Sequence, residues 1–157
     1  RVHAEVLSNC VHVFHKGRLR ETLHMQDEAV LMLLLRHRAS GACVLVATTH
    51  LFWDPYRPEV KAAQAELVAE ATTRFLIECD RPAAVVITGD FNSVPHLQPE
   101  FIGIDVSEEE MRENSLSAVY QLYSQGICPA RHPEHPDRFK PKALPAIRSS
   151  SREKPQR

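Results

Sequence analysis

Apolar residues in this chain fall into short runs of strand length and one long segment with helical spacing. Val6–Phe14 and Arg18–His24 flank Lys16-Gly17 and predict a β-hairpin, although the alternation in Val11-His12-Val13-Phe14 is imperfect. Ala29–Leu35 is apolar throughout. Such a run would also suit a buried helix segment, but the polar turn after it and its β-branched neighbour favour a strand. Ser40-Gly41 then leads into Cys43–Thr48, and the two runs predict a hairpin with both faces covered, in the middle of a sheet packed between layers. From about Glu59 to Cys79, Val60, Ala63, Leu67, Ala71 and Phe75 recur at helical spacing, with Lys61, Glu66, Glu70 and Glu78 elsewhere around the barrel. Gln64 lies on the apolar side, where its amide is expected to hydrogen-bond inward, because an unpaired buried amide costs about 1–3 kcal/mol. Arg81-Pro82 ends the helix, and Val85-Val86-Ile87-Thr88 predicts an interior strand. Strand, loop, helix and strand make a crossover unit, so the 43–49 and 83–88 strands belong to one sheet and end on the same side.

That topology gives the polar residues at the strand ends their interest. Gly89-Asp90-Phe91-Asn92-Ser93 follows the second strand. Glycine there lets the chain bend sharply or come close to a ligand. Residues two apart in an extended segment point the same way, so Asp90 and Asn92 are expected to face one spot. His50 follows the other strand, within Thr49-His50-Leu51-Phe52-Trp53-Asp54-Pro55-Tyr56-Arg57-Pro58, a loop rich in aromatics and pinned by two prolines. Ligands of open α/β sheets collect at the carboxyl ends of strands. A carboxylate beside an amide that both donates and accepts suits a hydrated Mg²⁺, a phosphate oxygen or an attacking water. His50, Asp90 and Asn92 are the catalytic candidates and Pro55, Trp53 and Asn92 the substrate-binding ones; Asp90 is the candidate metal contact, through water. The simpler reading of Trp53 and Phe52 is packing, that of Asp90 a turn cap, and that of Tyr120 and Tyr123 the core and rim of a helix. His132-x-x-His135 sits in a proline-broken loop, which favours a solvated pair over a metal site.

Composition changes this picture in two ways. The net charge of −1 hides an asymmetry, with eight Lys/Arg against three acids in residues 129–157. Four cysteines without a C-x-x-C pair indicate neither a zinc cage nor a disulfide framework. With no secretory signal legible, and an apolar run at 29–35 far short of the roughly 18 residues of a membrane helix, no membrane association is expected. A reduced intracellular setting follows, cytoplasmic with the nucleus as the alternative.

Thr49-His50-Leu51, Trp53-Asp54-Pro55, Val60-Lys61-x-x-Gln64 and Gly89-Asp90-Phe91-Asn92-Ser93-x-Pro95 resemble the endonuclease/exonuclease/phosphatase superfamily. Within it they are most similar to the deadenylase branch: carbon-catabolite-repression exonucleases, with nocturnin, Angel-type proteins and 2′-phosphodiesterases as relatives. Ser117–Gly126 and His135-Pro136-Asp137 match the segment those deadenylases place after the turn, and the resemblance covers roughly residues 10–139. It implies an α/β fold that is part of a DNase I-like four-layer α/β sandwich. It also implies Mg²⁺-dependent phosphodiester hydrolysis of the 3′-5′ exoribonuclease, poly(A)-deadenylase kind. By the resemblance, Asp90 orients or deprotonates the attacking water, Asn92 holds the scissile phosphate and His50 contacts the developing charge. Pro55 packs against the adenine of an RNA 3′ end, and partners in a deadenylase complex would bind through regions outside this chain.

The departures from the family pattern matter as much. The principal Mg²⁺ carboxylate, a Glu on an early strand, and the final Asp and His are not matched, so the fold is expected to be incomplete and the isolated chain weak or inactive. Domain boundaries are expected at 1–139, a partial catalytic domain, and 140–157, a disordered basic tail. Leu97–Asn114 reads as an insertion, with Ser107 and Glu110 forming a capping box. A small-molecule phosphatase or 2′-phosphodiesterase of the same superfamily and a non-catalytic fragment are the alternative functions.

Overall fold

The computed structural model describes residues 3–13 and 28–139. The expected strand at Arg18–His24 and the basic tail at 140–157 lie outside them. Four strands form one mixed sheet in the order β1 (Ala4–Val13), β2 (Ala29–His37), β3 (Cys43–His50), β4 (Ala84–Asp90). β1 and β2 pair antiparallel with a bulge at Leu7, and β2–β3 is the expected hairpin. Between β3 and β4 runs α1 (Pro58–Cys79), so these two pair in parallel and complete the crossover unit. Short helices α2 (Glu108–Glu113) and α3 (Ala118–Gln125) and 3₁₀ turns at Pro99–Phe101 and Pro136–Phe139 complete the described chain.

The core lies between the sheet and α1. Val30, Met32 and Leu34 of β2 and Leu45 and Ala47 of β3 pair across the sheet and point to the face on which Val60, Ala63, Ala71 and Phe75 of α1 pack. Alternation sends Leu31, Leu33 and Leu35 to the other face with Val44 and Val46, and there they are half-buried or exposed. The expectation of two covered faces is therefore corrected: among the described residues only one is covered. β4 departs from its sequence pattern in the same way. It lies at the sheet edge, with Val85 44% and Val86 43% exposed, because no described strand pairs with its outer side.

α1 is not simply amphipathic. Every residue from Pro58 to Ala65 is buried, charged Glu59 and Lys61 included, so Lys61 does not take the solvent position its spacing suggests. The aromatic loop, the turn after β4 and the 132–136 segment enclose this end of the helix. Gln64 bonds inward as expected: its Oε1 accepts Phe52 N–H (2.7 Å) and its Nε2 donates to Glu28 (2.6 Å). Asp80 in the left-handed conformation stops the helix just ahead of Arg81-Pro82. The capping box of Ser107 and Glu110 starts α2, while Gly126 ends α3.

Gly89 is held at φ 132°, and a Cβ there would lie 1.8 Å from the carbonyl oxygen of Thr49. The close approach foreseen for this glycine is to the neighbouring strand. Gly89→Ala must push β3 and β4 apart at their ends and is expected to cost more than about 2 kcal/mol in denaturant unfolding. A variant that unfolds like the parent would refute this account of the strand junction.

Candidate active site

The parallel register sets His50 opposite Asp90 at the carboxyl ends of β3 and β4. Leu51 N–H bonds the carbonyl of Asp90 (2.9 Å), carrying the pairing one residue beyond the strands. Asn92 then turns left-handed at φ 46°, a conformation asparagine tolerates better than most residues. Its N–H donates to Asp90 Oδ1 (2.9 Å), and its side-chain Nδ2 donates to the Leu51 carbonyl (2.8 Å). Because that partner only accepts, the orientation of the amide is settled. Asp90 and Asn92 thus face one spot, though not by the extended geometry expected: a turn closed by the Asp90 carboxylate brings them together.

His50 Nε2 stands 3.9 Å from Asp90 Oδ2, with side chains 71% and 67% exposed. At that separation the two are electrostatic neighbours without a hydrogen bond. The bonds of the turn use Asp90 Oδ1 and Asn92 Nδ2, and neither Asp90 Oδ2 nor Asn92 Oδ1 accepts a hydrogen bond from a described residue. The structure therefore brings together His50, Asp90 and Asn92.

Beside Asn92 opens a cavity of about 270 Å³. Trp53, Pro55 and Phe101 form its apolar walls, and Lys61, Ser117 and Glu134 supply polar lining. Trp53 is 64% exposed, so its packing reading is corrected in favour of a cavity wall, while Phe52 belongs to the core. Phe101 stacks edge-on against Tyr56 (5.2 Å), so the 97–114 segment contributes a wall. Tyr123 packs on Phe91 (5.2 Å) and donates from its hydroxyl to the Ala65 carbonyl (3.3 Å), joining α3 to α1. Burial pushes its phenol pKa up.

Two groups that line the cavity, Lys61 and Glu134, and the buried His132 behind Glu134 were missed or misread from sequence. Lys61 is 5% exposed and donates from Nζ to the Asn92 carbonyl (2.9 Å). Burial lowers its pKa from 10.5, against the opposing pull of Glu134, Asp54 and Glu59. Glu134 accepts the Ala118 N–H (2.7 Å) at the start of α3, and burial raises its carboxyl pKa. His132, expected in solvent, is fully buried: Nδ1 accepts the Glu134 N–H (3.1 Å), so Nε2 carries the proton to the Leu116 carbonyl (3.0 Å). Burial holds this imidazole neutral by lowering its pKa. The pairing of Lys61 with Gln64 three residues on was the only sequence signal for the lysine.

No family model matches the chain. It is 31% identical over 109 residues to the CCR4-Not complex 3′-5′-exoribonuclease subunit Ccr4 of Candida albicans, covering 64% of this chain and 11% of that protein. Protein angel of Drosophila melanogaster is 44% identical over 59 residues, 37% of this chain and 16% of that protein. The crystal structure of ANGEL2, a 2′,3′-cyclic phosphatase, superposes with a TM-score of 0.50 at 29% identity, over 59% of this chain and 26% of that one. The chain thus spans about a tenth to a quarter of the length of these relatives. The architecture is that of a DNase I-like α/β fold. Over the part of the chain they match, these relatives indicate the endonuclease/exonuclease/phosphatase superfamily, deadenylase branch.

One ion pair joins two segments that border the cavity. Arg138 Nη1 donates to Glu110 Oε1 (2.7 Å), linking the turn after Glu134 to the α2 segment. The Ser107 N–H, then Arg138, then the Ser107 hydroxyl hold the Glu110 carboxyl below its usual 4.5. A lowered folded pKa contributes stability above 4.5 that is lost as pH falls through the folded value. Acidification below about pH 4.5 is expected to release the Ser107–Glu110 cap before the sheet unfolds, read by the Ser107 and Glu110 amide shifts in an NMR pH series. Loss of cap and sheet at a single pH would contradict this order.

Proposed function

We propose that the chain carries the water-orienting and phosphate-holding part of a phosphodiesterase site that acts as a 3′-5′ exoribonuclease on poly(A)-like RNA ends. The observation that carries this reading is the convergence of His50, Asp90 and Asn92 at the ends of two parallel strands, beside a cavity walled by Trp53 and Pro55. The Asn92 N–H occupies Asp90 Oδ1, so Oδ2 is the oxygen free to accept a proton from an attacking water. Asn92 commits one amide hydrogen to Leu51; its second is available to a phosphate oxygen. His50, alongside, is placed to donate to charge that builds on phosphoryl oxygens. Trp53 and Pro55 offer flat apolar surfaces that suit an unstacked base.

Mg²⁺ is the cofactor this reading calls for. The described residues bring one carboxylate to the spot, and among them no three His, Cys, Asp or Glu gather as a metal site. Mg²⁺ demands octahedral oxygen coordination, and Asp90 alone does not fit it. Further ligands have to come from elsewhere, and the isolated chain is expected to turn over weakly or not at all. Association with a deadenylase complex, of which the Candida relative is named a subunit, would run through regions outside this chain, in the cytoplasm or the nucleus.

The likeness to ANGEL2 supports a second reading, hydrolysis of a small cyclic or terminal phosphoester. Oligoadenylate and adenosine 2′,3′-cyclic phosphate, assayed side by side with Mg²⁺, separate the two. Weak release of 5′-AMP from oligoadenylate, lost in Asp90→Ala, is the expected result. Turnover confined to the cyclic phosphate favours the second reading. Turnover that survives Asp90→Ala removes both, and none on either substrate leaves a binding role only.

A further inference from the structure

Lys61 is a buried charge that the proposed chemistry does not use. Its ammonium lies at the first turn of α1, where the residues on either side are buried as well, and its hydrogen bond reaches the Asn92 carbonyl 31 residues away. We infer that Lys61 is a positioning residue: by holding the Asn92 carbonyl from below, it fixes the left-handed turn that presents Asp90 and Asn92. What that turn presents to a substrate rests on the function proposed above; the holding of the turn does not.

Three arguments support it. Asn92 stands at φ 46°, so its backbone is not in a preferred well and needs an outside contact to stay there. Its N–H and amide already bond to Asp90 and Leu51, and Lys61 supplies the remaining backbone partner. Nearby carboxylates from three segments keep the ammonium charged and in place: Asp54 in the aromatic loop, Glu59 on α1 and Glu134 in the segment behind α3. Lysine at this depth is costly unless paired, and a hydrogen bond to a charged donor is worth about twice a neutral one.

A buried lysine is also structural, so the test has to separate the two roles. Lys61→Met leaves Glu134 buried without its countercharge and is expected to melt lower. Lys61→Met combined with Glu134→Gln removes both charges, a change that is often neutral for stability. In the double variant we expect melting near that of the parent, with exchange protection of the Asn92 N–H reduced about tenfold and quenching of Trp53, the single tryptophan, by oligoadenylate weakened about tenfold. Unchanged Asn92 protection in a double variant that melts normally would overturn the inference, and so would protection that returns in step with stability. If protection falls while oligoadenylate fails to quench even the unaltered chain, Lys61 holds the turn and the substrate reading is what fails.

Discussion

The structure depends on how closely β3 and β4 can approach at their carboxyl ends. Gly89 lies against the Thr49 backbone with no room for a side chain, and the next pair in the register is His50 and Asp90. Two residues 40 positions apart become neighbours because a parallel ladder has a fixed register and a glycine lets it run to the last residue. Everything beyond builds on that junction: Leu51 continues the ladder through its N–H, Asn92 returns to the Leu51 carbonyl, and the aromatic loop leaves from the same point. The imidazole and the carboxylate are thus placed by backbone pairing, and the amide by the turn that follows, which the Asp90 carboxylate closes.

Much of this was legible in the chain because it follows from local rules. The β2–β3 hairpin, the long helix, the crossover and the capping box of Ser107 and Glu110 each rest on spacing or turn chemistry within a short window. The meeting of His50 with Asp90 was legible too, since topology forces it, whereas Asn92 joins them through a left-handed turn that the extended reading did not describe. What was not legible are the residues whose surroundings come from distant segments. Lys61 sits at a helical position that spacing assigns to solvent, yet the turn after β4 closes over it. His132 was read as solvated for its prolines, but the carbonyl of Leu116 takes its ring proton in the interior. Val85 and Val86 erred the other way: β-branched composition describes a strand that would suit an interior and does not reveal whether a neighbour is present.

The buried charges gather at one place, and their arrangement limits what the cavity can hold. Lys61 and Glu134, the two charged groups among the cavity's lining residues named above, have opposite sign and offset one another. A floor of this kind does not select an anion. Its donors and acceptors, between the apolar surfaces of Trp53, Pro55 and Phe101, suit a flat polar ring better than a phosphate. Under the proposed function, a phosphate would lie at the rim, where Asn92 retains an amide hydrogen and His50 stands.

That division also bears on how much chemistry these residues can do. Oriented donors and bases gain most of their strength where water is excluded, since a charge interaction worth about 1 kcal/mol in bulk water rises to about 4 at the effective dielectric of a protein surface. His50 and Asp90 are each more than two-thirds exposed, so their placement is finished while their environment is still aqueous. Val85 and Val86, on opposite faces of the edge strand β4, are likewise half in solvent. A layer that covered this edge would dry the strand and the His50–Asp90 pair in one step, and under the proposed function would strengthen Asp90 as a base by limiting the water that competes for Oδ2. Placement and desolvation are separable contributions to a site of the proposed kind, and His50, Asp90 and Asn92 have the first without the second.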